Sequence, residues 1–474
     1  MSDPALLRMP QHLLALILAQ LDSTQSLASA ILSHSYIYAT FQDDRNRILR
    51  AVRVDQMPAR TRPYAYLTLA AGQMQPRDRA QVRRFLWSSS WCLDPHSDLG
   101  AGFLGRVMKV DSVDPRAVVE GLNSMHAMVE WFTRDFARDT LPLVGSELGL
   151  KRPGGMTLSA DETFRIQRAM YRFQMYCDML QSPMDGKGNW LGKRLRRNFF
   201  GRFSPWVNEQ LACVHDYFER VLSRAFDEVA AHDVDWGHQR INWLANGERN
   251  PHKQAYLFRG IPFLHTLAHA PTYAARRALL GPIPPPPACH MLGTTLWKHG
   301  STNGRRELLE WQHFWTRMDD PADPEPYEGE GEEGKGKEGP RWWVDTLWQD
   351  DDEGRDGYGT LPFRYWRAAH RDCWQKDVVA GVNARWLRRV GYVMWDEQPE
   401  GGKVGELTLR VRVLEGRKAV MLERFRERDA GVRRRVREGR RAREEIYLRG
   451  GRGYWKEGDM GEVVWGSGDD YRAG

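Results

Sequence analysis

The five cysteines, Cys92, Cys177, Cys213, Cys289 and Cys373, are odd in number, widely scattered and contain no C-x-x-C pair. That excludes a disulfide framework and a zinc cage of ordinary spacing, and points to a reducing compartment. No Asn stands in an N-x-[ST] context, so the acceptor of a secretory route is missing too. A membrane span needs about 20 apolar residues. The apolar stretch "MPQHLLALILAQLD", Met9 to Asp22, is followed too soon by Gln25, Ser26 and Ser29. As a signal peptide it has only Arg8 as a flanking cation, opposed by Asp3, and Pro10, His12 and Gln20 fit a hydrophobic core poorly. A chain of the cytoplasm or nucleus, without membrane contact, is expected.

Recognised catalytic motifs are also missing. There is no G-x-S-x-G, no H-E-x-x-H and no acidic loop with calcium-ligand spacing. "GAGFLG", Gly100 to Gly105, spells a dinucleotide motif, but the preceding "CLDPHSDL" is no strand and Pro115 begins the next helix too late. In "GKGNWLGKRL" the leading glycine is misplaced and Arg194 stands where a magnesium-binding hydroxyl belongs. His265 and His269 lie one helical turn apart, yet Thr266, Leu267 and Ala268 supply neither a general base nor a third ligand. Cys213 and His215, two apart on a helix, point to different faces. No metal, no cofactor and no catalysis are expected.

What the chain does have is bulk: 19 Trp, 17 Phe and 16 Tyr among 41% apolar residues. At this length a folded chain buries about 75% of its unfolded surface, and length alone suggests roughly three domains. The formal charge of +7 is modest for the size, and its basic residues crowd toward the C-terminus.

Helical spacing begins early. Pro10 suits a first helical position, and Leu13, Leu14, Ile17, Leu18 and Leu21 recur at intervals of three and four. Asp22 or Ser23 is placed to cap a second helix with Leu27, Ala30 and Ile31, and a third runs from about Ser35 through Tyr36, Phe41, Ile48 and Val52. Met9-Pro10, Leu13, Ile17-Leu18, Leu21, Ser26-Leu27, Ile31 and the Ser33-His34 turn resemble the F-box, including its fungal F-box-like variants. Met9 replaces the family's usual Leu, His12 its Glu, and the closing Trp is absent near Tyr36 to Phe41. The later segments "ETFRIQRAMYRFQMYC", "NEQLACVHDYFERVLSRAFDEV" and "GYVMWD" look like fungal proteins that begin in this way.

The resemblance implies a non-catalytic adaptor whose helical hairpin docks on a Skp-type adaptor of a cullin-RING ubiquitin ligase while the rest recruits a protein target. Pro10, Leu13, Ile17, Leu18, Leu21, Leu27 and Ile31 would make that contact. The competing reading is that the same amphipathic helices simply pack on the next domain.

The expected class is mainly α: a three-helix module over 1–55, a Trp-rich helical domain over 56–318, its continuation over 358–402, and a basic helix with a Gly-rich tail over 403–474. Ser159-Ala-Asp-Glu162 reads as a capping box ahead of a stripe from Ile166 to Leu180. Ser204-Pro205 opens a helix whose buried face carries Leu211, Val214, Phe218, Val221, Leu222, Ala225 and Val229. Further helices fit Pro115 to Arg138 and Pro262 to Ala270, and Pro282 to Pro287 reads as an extended connector. The acidic, Gly-rich text of 319–357 holds too little apolar area to order itself and reads as a disordered insertion.

Arg410 to Arg449 is densely basic but laced with Glu, which favours a solvated helix. The alternative is a helical scaffold, or a nucleic-acid binder using Arg433, Arg434, Arg435, Arg440 and Arg441, with "RGGRGYW" offering stacking for single-stranded bases.

Overall fold

The computed structural model describes residues 5–21, 24–52, 57–74, 81–82, 85, 115–144, 157–180, 199–200, 203, 205–239, 241, 243–244, 250–282, 292, 361–370, 385–396 and 434–466. These are mainly helical, with a single two-stranded sheet among them. The expected disordered insertion at 319–357, the glycine-rich texts at 100–105 and 186–195, and residues 283–287 of the proline run lie outside the described residues. No described helix is long and apolar enough to cross a membrane. Two compact units divide the chain, Met1–Arg134 with Thr163–Leu180, and Asp135–Glu162 with Gln181–Gly474.

The first unit opens with a 3-10 turn, Ala5–Arg8, and α1 (Gln11–Ala19), α2 (Thr24–Ser33), α3 (Ser35–Asp43) and α4 (Arg45–Arg50). Pro10 occupies the N-cap of α1 rather than the expected first helical position. The expected third helix is broken in two at Asp44, whose φ of −123° leaves the helical region. Asp44 then starts α4 by accepting the Ile48 N–H through its carbonyl at 3.0 Å and pairing its carboxylate with Arg47 at 2.8 Å. Leu14, Leu18, Leu27, Ile37, Phe41 and Ile48 interlock as one apolar core within these short helices. Each such side chain taken from water contributes about 1.5–3 kcal/mol.

Next come α5 (Arg62–Gln73) and two long helices whose residues divide between the units, α6 (Pro115–Leu143) and α7 (Ala160–Leu180). Within the first unit, the Thr61 hydroxyl donates to Gln167 Oε1 at 3.1 Å, and His126 Nδ1 lies 2.9 Å from the Tyr171 hydroxyl. Arg60 and Arg168 stack over the Phe164 ring at 4.0 and 5.0 Å.

In the second unit the capping box forms as spelled. The Glu162 N–H donates to Ser159 Oγ, and the Ser159 N–H to Glu162 Oε2, each at 3.0 Å. Its centre is α8 (Pro205–His232), against which α10 (Pro251–Leu257), α11 (Gly260–Ala268), α12 (Tyr273–Leu280), α13 (Leu361–His370) and α14 (Arg385–Arg389) all pack, with the short α9 (Val234–His238) following it. The expected stripe Leu211, Val214, Phe218, Val221, Leu222, Ala225 and Val229 is buried, but so are Asn208, Glu209, Gln210, His215, Asp216 and Glu219. The helix is therefore enclosed on most of its circumference. Asp233, Asn250 and Thr272 cap the N-termini of α9, α10 and α12 by accepting the N–H groups of Trp236, Lys253 and Ala275.

Downstream, α15 (434–448) leads into an antiparallel hairpin, β1 (Gly451–Gly453) and β2 (Val463–Trp465), with Arg452 opposite Val464. A Cβ on Gly451 would stand 2.4 Å from Ile446 Cγ2, so only glycine lets the strand lie on the helix. The hairpin and α15 also close the end of α8. Trp455 N–H donates to the His232 carbonyl at 2.9 Å, and Arg443 Nη1 donates to the carbonyls of Ala230 and Asp233 at 2.5 and 3.2 Å.

Candidate partner-docking face

In α1 the sequence is apolar on nearly every side, and no acidic residue stands in its first turn or basic residue in its last. Packing uses only part of that circumference. Leu14 and Leu18 enter the core at 0% and 2% exposure, whereas Leu13, Leu16 and Ile17 stay 42%, 49% and 39% exposed. Positions 13, 16 and 17 share one face by the three-and-four rule, and Pro10 precedes them on it. Pro10 is exposed as well. The start of the helix is held in place by the Tyr36 hydroxyl, which donates to the Met9 carbonyl at 2.7 Å, while His34 Nδ1 accepts the Tyr36 N–H at 3.1 Å and caps α3. A fixed helix thus displays a branched apolar surface with no charge upon it. Adjoining exposed apolar side chains of this kind mark interaction surfaces more often than isolated ones do.

The seven residues expected to make a contact separate into three groups. Pro10, Leu13 and Ile17 lie on the open face. Leu21 and Ile31 are half-buried against the core, and Leu18 and Leu27 belong to that core. Leu18 and Leu27 are therefore corrected from surface to interior: spacing identifies apolar positions but not which of two apolar sides the fold covers. Leu16 was missed, although its i+3 relation to Leu13 was legible in the sequence.

A second concentration of functional groups lies inside the second unit. Arg388 Nε donates to Glu209 Oε1 at 2.8 Å, and its Nη1 approaches Asp216 Oδ2 at 3.7 Å. Asp216 Oδ1 stands 3.1 Å from His215 Nδ1, His215 Nε2 3.0 Å from Gln254 Oε1, and the Gln254 amide donates to Glu219 Oε1 at 3.0 Å. All six side chains are buried. Burial works against the Arg388 charge, but Glu209 and then Asp216 outweigh it and hold the guanidinium above its ordinary range. Burial pushes the nearby Cys213 thiol well up, with Glu209 adding to it, which suits an inert core thiol rather than a nucleophile. This chain of groups joins α8, α10 and α14 from within; its members were visible in the sequence, their pairing across up to 179 residues was not.

At the other end of the chain, Arg434, Arg435 and Arg441 are exposed, Arg440 is half-buried, and Arg433 lies outside the described residues. Arg434 pairs loosely with Glu438 at 3.8 Å. The "RGGRGYW" text folds into the hairpin. Its Tyr454 stacks on His232 with ring centres 4.9 Å apart, and Trp455 is buried, so both aromatics serve the fold.

No family profile, curated protein or solved structure matches the chain. Among the described residues no group of three or more His, Cys, Asp or Glu is placed to hold a metal ion.

Proposed function

We propose that residues 5–52 act as an F-box-like docking module that binds a Skp-type adaptor of a cullin-RING ubiquitin ligase, the remainder of the chain recruiting a protein target without catalysis of its own. The observation that carries this reading is the exposed Pro10, Leu13, Leu16 and Ile17 face on a helix whose opposite side completes a core. Helices that bind in grooves present anchors at intervals of three and four, as this face does. Covering it removes apolar area from water at about 25 cal/mol per Å2, the usual driving term for such association.

The test is retention of the purified Skp-type adaptor by the full chain. Wild type is expected to hold it and Leu13→Asp/Ile17→Asp to release it, while both proteins melt alike, because the altered side chains do not enter the core. Equal retention by the two proteins, or by neither, overturns the proposal.

A second reading rests on the exposed Arg434, Arg435 and Arg441. Nucleic acid held there would be lost steeply with salt through counterion release. Replacing the three arginines by Ala without changing retention on RNA discounts it.

A further inference from the structure

The geometry points to a two-histidine site for a borderline divalent metal ion of the zinc, copper and nickel kind at the C-terminal end of α11. Its ligands are His265, in the last turn, and His269, the residue that caps the helix. This inference is independent of the docking proposal. From sequence alone the pair lacked a third ligand; the structure adds three observations.

First, the rings are together. Their centres are 4.2 Å apart and their planes tilted by 41°. Two imidazoles bound cis to one ion at about 2.0 Å per nitrogen hold their ring centres roughly 4–5 Å apart. The observed separation falls within that range.

Second, one tautomer is fixed. His269 Nδ1 lies 2.8 Å from the His265 carbonyl oxygen. An oxygen acceptor requires the proton on Nδ1, which leaves the lone pair of the neutral ring on Nε2. Histidines that bind metals are usually oriented in this way, by donating their other N–H to a backbone carbonyl.

Third, both rings reach solvent. His269 is exposed and His265 only half-buried, so an ion has access. With two protein nitrogens, the remaining coordination positions fall to water or to groups brought by another molecule. The ion would bridge the last helical turn and so stabilise it.

Calorimetric titration of the full chain with Zn2+ alone, and separately with Ni2+ alone, in a non-coordinating buffer tests the site. Wild type is expected to take up one equivalent whose affinity falls at least ~10-fold in His265→Gln and in His269→Gln alike. The double variant should be no weaker than either single one, because a chelate is lost as a unit. His12→Gln, at an exposed histidine elsewhere, should change nothing. The exposed His269 is replaceable without disturbing the core, so unchanged stoichiometry and affinity in His269→Gln overturns the site, as does the absence of a stoichiometric equivalent in wild type.

Discussion

Leu13 and Leu14 are consecutive residues of α1, yet Leu14 is fully buried and Leu13 is 42% exposed. A step of one residue turns a helix by about 100°, enough to carry a side chain from the core to the open side. The helix therefore has two apolar sides, of which the module's own core occupies one.

This division has an energetic signature. Leu18→Ala removes core volume and is expected to cost about 2–5 kcal/mol, whereas Leu13→Ala and Ile17→Ala should each stay within about 0.5 kcal/mol. Chemical denaturation of the three variants measures the contrast. A Leu13→Ala loss as large as that of Leu18→Ala would mean that the face is covered by the protein itself.

The Glu209–Arg388 pair is buried on both sides, at 0% and 6% side-chain exposure. Arg388→Met alone strands a buried carboxylate and is expected to destabilise by about 3–5 kcal/mol, while Glu209→Leu/Arg388→Met together should lose less than the sum of the single changes. A double-mutant cycle checks this, and strict additivity would show that the two residues act independently.

Asp178 sets a pH dependence. Burial pushes its carboxyl up to about 7, against the pull of a 2.8 Å hydrogen bond donated by Gln174. The unfolded chain titrates this group at about 3.9. The folded form holds the proton more tightly, so its contribution to stability is full below about pH 4, declines as pH rises, and is lost once pH passes about 7. Asp178→Asn should flatten that decline in denaturation midpoints recorded across the window. Parallel profiles for the two proteins would assign the slope to other groups.

Gly451→Ala is expected to cost about 1–3 kcal/mol by overpacking. The new methyl would meet Ile446 Cγ2 at 2.4 Å and Val463 Cγ1 at 2.9 Å. Ile446→Ala in the same chain should recover part of the loss. No recovery on thermal melting would place the strain elsewhere.

Much of the helical architecture was legible because apolar residues three and four apart already define a buried stripe, as from Ile166 to Cys177 and along α8. The capping box at Ser159 and Glu162 was legible for the same local reason. The hairpin was not. β1 reads Gly-Arg-Gly, with no β-branched or aromatic residue, and becomes a strand because β2 and Ile446 lie against it. Along α1 and α2, spacing groups the exposed Pro10, Leu13 and Ile17 with the buried Leu18 and Leu27, since periodicity alone cannot weigh two apolar sides of one helix. The Glu209–Arg388 pairing depends on tertiary folding across 179 residues and leaves no local trace.

The closure of α8 by Arg443 and Trp455 also bears on how the protein is made. The carbonyls of Ala230, His232 and Asp233 receive their distant donors only from residues more than 200 positions later. At synthesis rates of about 5–20 residues per second, the end of that helix waits on the order of ten seconds or more for those donors to be translated. The wait is a natural opening for a chaperone, and a message cut short before codon 443 would yield a helix left permanently unfinished at that end.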